Sequence, residues 1–258
     1  MEYSNGDNDR MSRDFLDIDI LSRAQGSLLG QLAGDSLGSL VEFRAPDDIR
    51  REYPNGVREL ADGGTWNTIA GQPTDDSEMA LLLARMLADQ GRYDPEEARN
   101  AYIFWLDSGP FDCGMTVAGG LRGRPNPDSQ ANGAMMRISP LGIFGANHDA
   151  GLVAEWAWQD AAITHPHPVC QQANALFTMA IARAIRHGCD GRDLYEQIVT
   201  WAEDMKVDGS LLEAVRGAGE SPPADYVHQQ GWVLTAFRNA LWQLLHATNL
   251  EEAVVDTV

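Results

Sequence analysis

Positive charge, cysteine and long apolar runs are all scarce in this 258-residue chain. Nineteen Lys and Arg stand against 38 Asp and Glu, a formal net charge of −19. Such an excess of negative charge repels phosphate backbones, so nucleic acid is excluded as an expected partner. Solubility is the plain reading of the charge, and a requirement for cations is a second one. The three cysteines, Cys113, Cys170 and Cys189, lie far apart, with no CxxC pair and no zinc spacing. A disulfide framework is therefore not expected, and a reducing compartment, the cytoplasm, is. No run of eighteen apolar residues exists, so no transmembrane helix and no membrane partner are expected. Internal repeats and convincing linkers are missing too. The opening "MEYSNGDNDRMSRDFLDID" is polar and lacks the apolar segment of a signal peptide. Residues 1–16 are expected to form a flexible tail, with a single domain over 17–258.

Period-2 alternation is almost absent, and what is present is helical periodicity. In "TDDSEMALLLARMLADQGR", Met79, Leu82, Leu83, Met86 and Leu87 fall on one stripe. Asp75 followed by Glu78 reads as a capping box, and Gly91 as the stop. Asp94, Pro95 and Glu97 spell a second helix start. Further helices are expected near 115–122, 150–163, 168–187, 191–205, 231–247 and from Asn249 on. The fold class is all-α. One stretch resists this reading: "GSLLGQLAGDSLGSLVEF" carries Gly26, Gly30, Gly34 and Gly38 in a helical pattern. Each interior glycine costs a helix about 1 kcal/mol relative to alanine.

The long segments 63–76 and 107–140 are rich in Gly, Pro, Asn and Asp, and segments of that length usually line a functional site. Thr74, Asp75 and Asp76 stand together at a helix start. A hydroxyl and two carboxylates are hard oxygen ligands, suited to Mg²⁺, Mn²⁺ or Ca²⁺. An ordinary helix cap explains the same tripeptide, although one cap needs only one carboxylate. Asp35 and Glu42 are seven residues apart and share a face if the helix persists. Asp112 sits in the turn "PFDCGMT". The small residues of "ANGAMMR" leave room for a ligand to approach the backbone. "ITHPHP" holds two histidines between prolines without a third metal ligand at suitable spacing. Trp232, at the start of an otherwise core-forming helix, is a candidate stacking surface.

Taken in order, "GxxxGxxxGDSLGxxxE", "PTDDSEMALLLA", "DCGMT", "NGAMMR" and "ITHPHP" resemble the ADP-ribosylglycohydrolases over about residues 24–258. The bacterial branch similar to dinitrogenase-reductase-activating glycohydrolase is nearest in look. The resemblance implies a compact orthogonal helical bundle with a binuclear Mg²⁺ or Mn²⁺ centre. It implies hydrolysis of the bond between ADP-ribose and a modified protein side chain, most often arginine. An ADP-ribosylated protein, or ADP-ribose, is then the partner. It assigns Thr74, Asp75 and Asp76 to the metal, and Asp112 and Glu42 to catalysis. Asn132, Gly133, Met135 and His165 fall to the ADP-ribose pocket, which Trp232 is expected to border. The glycines would let neighbouring helices and the metal loop come close, with Asp35 as anchor. Two departures stand out. Met115 occupies the place of an asparagine in the family pattern. The chain also ends at Val258, where a "GGDxDT" motif would follow, and Asp256-Thr257 replaces it poorly. A fragment, incomplete at the C-terminus, is therefore expected. The alternative is an impaired ADP-ribose-binding or toxin-immunity protein.

Overall fold

A computed structural model describes residues 18–258. The tail assigned to residues 1–16 lies outside the described residues. Among the described residues there are thirteen helices and no strand; the β pairing consists of isolated bridges such as Gly63 to Thr68 and Ala131 to Trp232. The order is α1 (Ile18–Gly38), α2 (Pro46–Glu52), α3 (Asp75–Gln90), α4 (Pro95–Asp107), α5 (Met115–Leu121), α6 (Ser139–Gly145) and α7 (Ala150–Thr164). It continues with α8 (Pro168–His187), α9 (Gly191–Asp204), α10 (Gly209–Gly217), α11 (Tyr226–Gln229), α12 (Val233–His246) and α13 (Leu250–Thr257).

Local signals account for several boundaries. Asp94 caps α4, its carboxylate accepting the Glu96 and Glu97 amides at 3.0 and 3.3 Å, with Pro95 in the first turn. Gly91 ends α3 in the left-handed region, at φ 63°. Other boundaries differ from the sequence reading. Asp75 is not a cap: the cap position is Thr74, and Glu78 accepts instead from the Trp105 indole at 2.7 Å. The helix at 231–247 begins at Val233, because the extended Trp232 pairs with Ala131. The short helices α2, α6 and α10 lack a long apolar period and escaped the sequence reading.

Two apolar clusters carry the packing. One joins Leu176 of α8 to Ile198, Leu211, Val215 and Phe237 from α9, α10 and α12. The other joins Met79 and Leu83 of α3 to Tyr102, Ile138 and Leu141. Phe177 packs against both. Burial of such side chains at about 25 cal/mol per Å² is the main force holding the bundle. The glycine stripe of α1 faces α13. A Cβ on Gly30 would touch Leu250 at 3.4 Å, on Gly34 Val254 at 3.9 Å, and on Gly38 Val258 at 3.9 Å. Both rows repeat every four residues, so the ridge of α13 lies along a groove of α1. Gly26 meets nothing within 4 Å and has no part in this contact.

Candidate active site

The site begins where α1 meets α3. The Asp35 carboxylate accepts the Thr74 amide at 3.1 and 3.2 Å, the Thr74 hydroxyl at 2.7 Å and the Ser77 amide at 3.1 Å. A residue of another helix therefore supplies the cap, and Thr74 caps nothing with its own side chain. Gln31 strengthens the joint, its amide donating to the Asp76 and Met136 carbonyls at 3.1 and 2.9 Å. Helix α1 stops at Gly38, so Asp35 and Glu42 do not share a helix face. Glu42 lies instead on the following turn, where the Trp66 indole donates to it at 2.8 Å. Trp66 is flanked by Phe43 and Phe111, with ring centroids 6.3 and 5.8 Å away. Phe43 itself is 75% exposed and sits at φ 62°, a conformation that costs a bulky side chain energy.

With the cap supplied from α1, the Asp75 and Asp76 carboxylates have no structural task at the end of their own helix. Asp75 accepts a long 3.4 Å bond from the Gly114 amide and is otherwise hydrogen-bonded to its neighbour Asp76. Among the described residues, none of Asp35, Glu42, Asp75, Asp76 and Asp112 forms an ion pair. The consequence is visible in their acidity. Burial, then the charges of Asp75, Asp35 and Glu42, holds Asp76 well above the ordinary carboxylate range. Burial raises Asp75 and Glu42 also, the latter despite its bond from Trp66. Asp112 is pushed up to about 7 by burial and by Asp75, Glu42 and Asp35. Carboxylates crowded in this way oppose one another's ionisation until a cation joins them.

The cluster opens on a cleft of about 850 Å³. Glu42, Asp75, Asp76 and Asp112 line it, with Asn132, Gly133 and His165. A second cleft of about 810 Å³ is lined by Asp35, Thr74, Asp76 and again Glu42. Asn132 is fixed by its amide to the Gly231 carbonyl at 2.9 Å and by its side chain to the Gln230 carbonyl at 3.2 Å. Two residues expected at the pocket stand elsewhere. Met135 is packed in the core, and the adjacent Met136 lines the cleft. Trp232 does not line it; its indole donates to Gln130 at 2.9 Å. Met115, 92% exposed, is at the rim. Tyr226 and Gln230 line both clefts and were not read from the sequence, since neither belongs to a periodic segment or a motif.

An all-α architecture with a carboxylate-walled cleft is the class that fold and site define. The chain belongs to the ADP-ribosylglycohydrolase family, whose model it matches over residues 16–258. It is 35% identical over 182 residues to the ADP-ribosyl-[dinitrogen reductase] glycohydrolase of Rhodospirillum rubrum, covering 67% of this chain and 60% of that protein. It is 27% identical over 255 residues to the ADP-ribosylarginine hydrolase Tri1 of Pseudomonas putida (strain GB-1), covering 91% and 64%. The chain thus spans less than two thirds of the length of these relatives. A solved structure titled ADP-ribosylglycohydrolase-related protein complex superposes with a TM-score of 0.77 at 23% identity, over 92% of this chain and 80% of that one. At that identity the likeness concerns the fold.

Proposed function

We propose that the cleft binds ADP-ribose attached to a protein side chain and, with Mg²⁺ or Mn²⁺, hydrolyses the glycosidic bond between them. ADP-ribosyl-arginine is the favoured substrate, because the similar Pseudomonas protein is named for that linkage. The observation that carries the reading is the set of four carboxylates without an ionic partner at one cleft, Glu42, Asp75, Asp76 and Asp112, with Asp35 on the adjoining cleft. The donor set fits a hard divalent cation: Asp75 and Asp76 are carboxylates, and Thr74, whose hydroxyl proton goes to Asp35, keeps its lone pairs. Thr74, Asp75 and Asp76 are the residues that would hold it. Among the described residues, no three His, Cys, Asp or Glu side chains are grouped as a ready cage. When bound, the ion would compensate the carboxylates and polarise ribose hydroxyls.

The chain's own residues supply the rest. Asp112, with an acidity near neutral, is suited to moving a proton at the scissile bond, and Glu42 is the second carboxylate in reach of the cleft. Cleavage at the sugar carbon passes through an oxocarbenium-like transition state, which flanking carboxylates stabilise. Asn132, Gly133 and His165 form the nucleotide side of the cleft. The packing of Phe177 against both apolar clusters supports reading residues 17–258 as one domain. Three free cysteines suit the cytoplasm. The test is release of ADP-ribose from an ADP-ribosyl-arginine protein with and without Mn²⁺. No release at any Mn²⁺ concentration would refute the reading for this chain.

A further inference from the structure

The His165 end of the cleft rests on a buried ionic network. Arg137 and Asp160 are both fully buried and paired at 3.0 Å. All three guanidinium nitrogens of Arg137 donate hydrogen bonds. Nε donates to Asp160 Oδ1 at 3.1 Å and Nη2 to the Asp160 carbonyl at 3.0 Å, with Oδ1 also 3.0 Å from Nη2 in the ion pair. Nη1 donates to the Gly133 carbonyl at 3.3 Å and to the Thr164 hydroxyl at 2.9 Å. The Tyr102 ring lies under the guanidinium at 4.3 Å and its hydroxyl donates to Asp160 at 2.9 Å.

A guanidinium only donates, so the Thr164 oxygen must accept from Arg137. Among the described residues, His165 Nδ1, at 2.8 Å, is the one other hydrogen-bond neighbour of that hydroxyl, so its proton is satisfied only if Nδ1 accepts it. A ring nitrogen that accepts carries no proton, which leaves the proton of the neutral imidazole on Nε2. Burial, with the Arg137 charge behind it, lowers the His165 pKa to about 3, so the ring is neutral at ordinary pH. Nε2 is buried and has no hydrogen-bond partner. His165 is a residue of the cleft wall, its side chain fully buried behind Gly133, where a Cβ would come within 3.0 Å of Cε1 and 3.2 Å of Nε2.

We infer that Thr164 is a positioning residue: with Arg137 behind it, it holds His165 as an Nε2–H donor, so that this end of the cleft selects a hydrogen-bond acceptor oxygen of the nucleotide. The identity of the ligand rests on the function proposed above, whereas the polarity of the ring does not. An unpartnered N–H in a buried wall favours a ligand that can accept from it, by about three- to tenfold in affinity.

The test uses ¹⁵N-histidine-labelled protein, first without ligand. Long-range ¹H–¹⁵N spectra are expected to show His165 as one tautomer, bare at Nδ1 and protonated at Nε2. Thr164→Ser keeps that signature. Thr164→Val is expected to give a tautomer mixture and to weaken ADP-ribose binding in calorimetry about three- to tenfold. A protonated Nδ1 in the unmodified protein, or an unchanged ring signature in Thr164→Val, overturns the inference. If the valine variant does not fold, the unmodified protein and Thr164→Ser decide the ring polarity between them. The expected tautomer without any ADP-ribose affinity would sink the functional reading and leave the relay standing.

Discussion

Asp35 of α1 caps α3 by accepting the amides of Thr74 and Ser77, and it takes the Thr74 hydroxyl proton as well. This one carboxylate sets the entry of the helix that carries Asp75 and Asp76. It also explains why those two acids are released from capping. Asp35→Ala is expected to destabilise the fold by about 1–3 kcal/mol, since two backbone donors lose their acceptor. Urea denaturation of the variant measures the loss, and an unchanged midpoint would contradict the assignment.

Asp75→Asn and Asp76→Asn are each expected to abolish Mn²⁺ binding in calorimetry and ADP-ribose release with it. Both substitutions remove a charge from a crowded, repulsive cluster, so the metal-free variants should unfold no earlier than the parent. Full metal affinity in both variants would remove these residues from the metal site.

Asp112→Asn is expected to lower kcat by about 10²–10⁴-fold with a smaller change in KM, the pattern of a lost proton-transfer group. Single-turnover release of ADP-ribose distinguishes this from a binding defect. A drop confined to KM would reassign Asp112 to substrate binding.

The same residue predicts a pH dependence of stability. The Asp112 pKa in the fold is raised to about 7, above that of the unfolded chain. Between the unfolded value near 4 and about 7, the native state therefore binds more protons. Stability contributed by the protonated carboxyl is full at low pH and is lost as pH rises through that window. Metal-free protein is thus expected to show a falling thermal midpoint from about pH 4 to 7 from this group, and Asp112→Asn should flatten the fall. The buried His165 works oppositely: its pKa is lowered to about 3, so its contribution is lost as pH falls below about 6.5. A comparison of parent and Asp112→Asn across pH isolates the first effect.

The glycines are predicted to separate by environment. Gly26→Ala meets open space inside a helix and should stabilise by about 0.5–1 kcal/mol. Gly120→Ala would place a Cβ 2.6 Å from the Thr164 Cα, a backbone atom that cannot swing away, and should destabilise by about 1–3 kcal/mol. Thermal unfolding of the two variants checks both signs.

Much of the fold was legible because helix signals are local. The apolar stripe from Met79 to Leu87, the cap at Asp94 and the stop at Gly91 depend on neighbours three or four positions away. The local capping reading of Asp75 and Glu78 failed for a physical reason: a stronger acceptor arrived from α1, and the Trp105 indole claimed Glu78. Met135 and Met136 are indistinguishable as residue types. Which one lines the cleft follows from how the turn at 132–138 sits against α8, and no local pattern encodes that.

The sequence by itself determined that the chain is helical, where its long glycine-rich connections lie and which acidic residues stand beside helix starts. These follow from short-range hydrogen bonding and from the period with which apolar side chains must face a core. Only the tertiary structure decided that Asp35 would cap a helix 39 residues away, that Glu42 would turn onto the same cleft as Asp112, and that Thr164 would stand between Arg137 and His165. Those relationships depend on burial and on pairing between segments distant in the chain, where the cost of leaving a polar group unpartnered selects one arrangement among many.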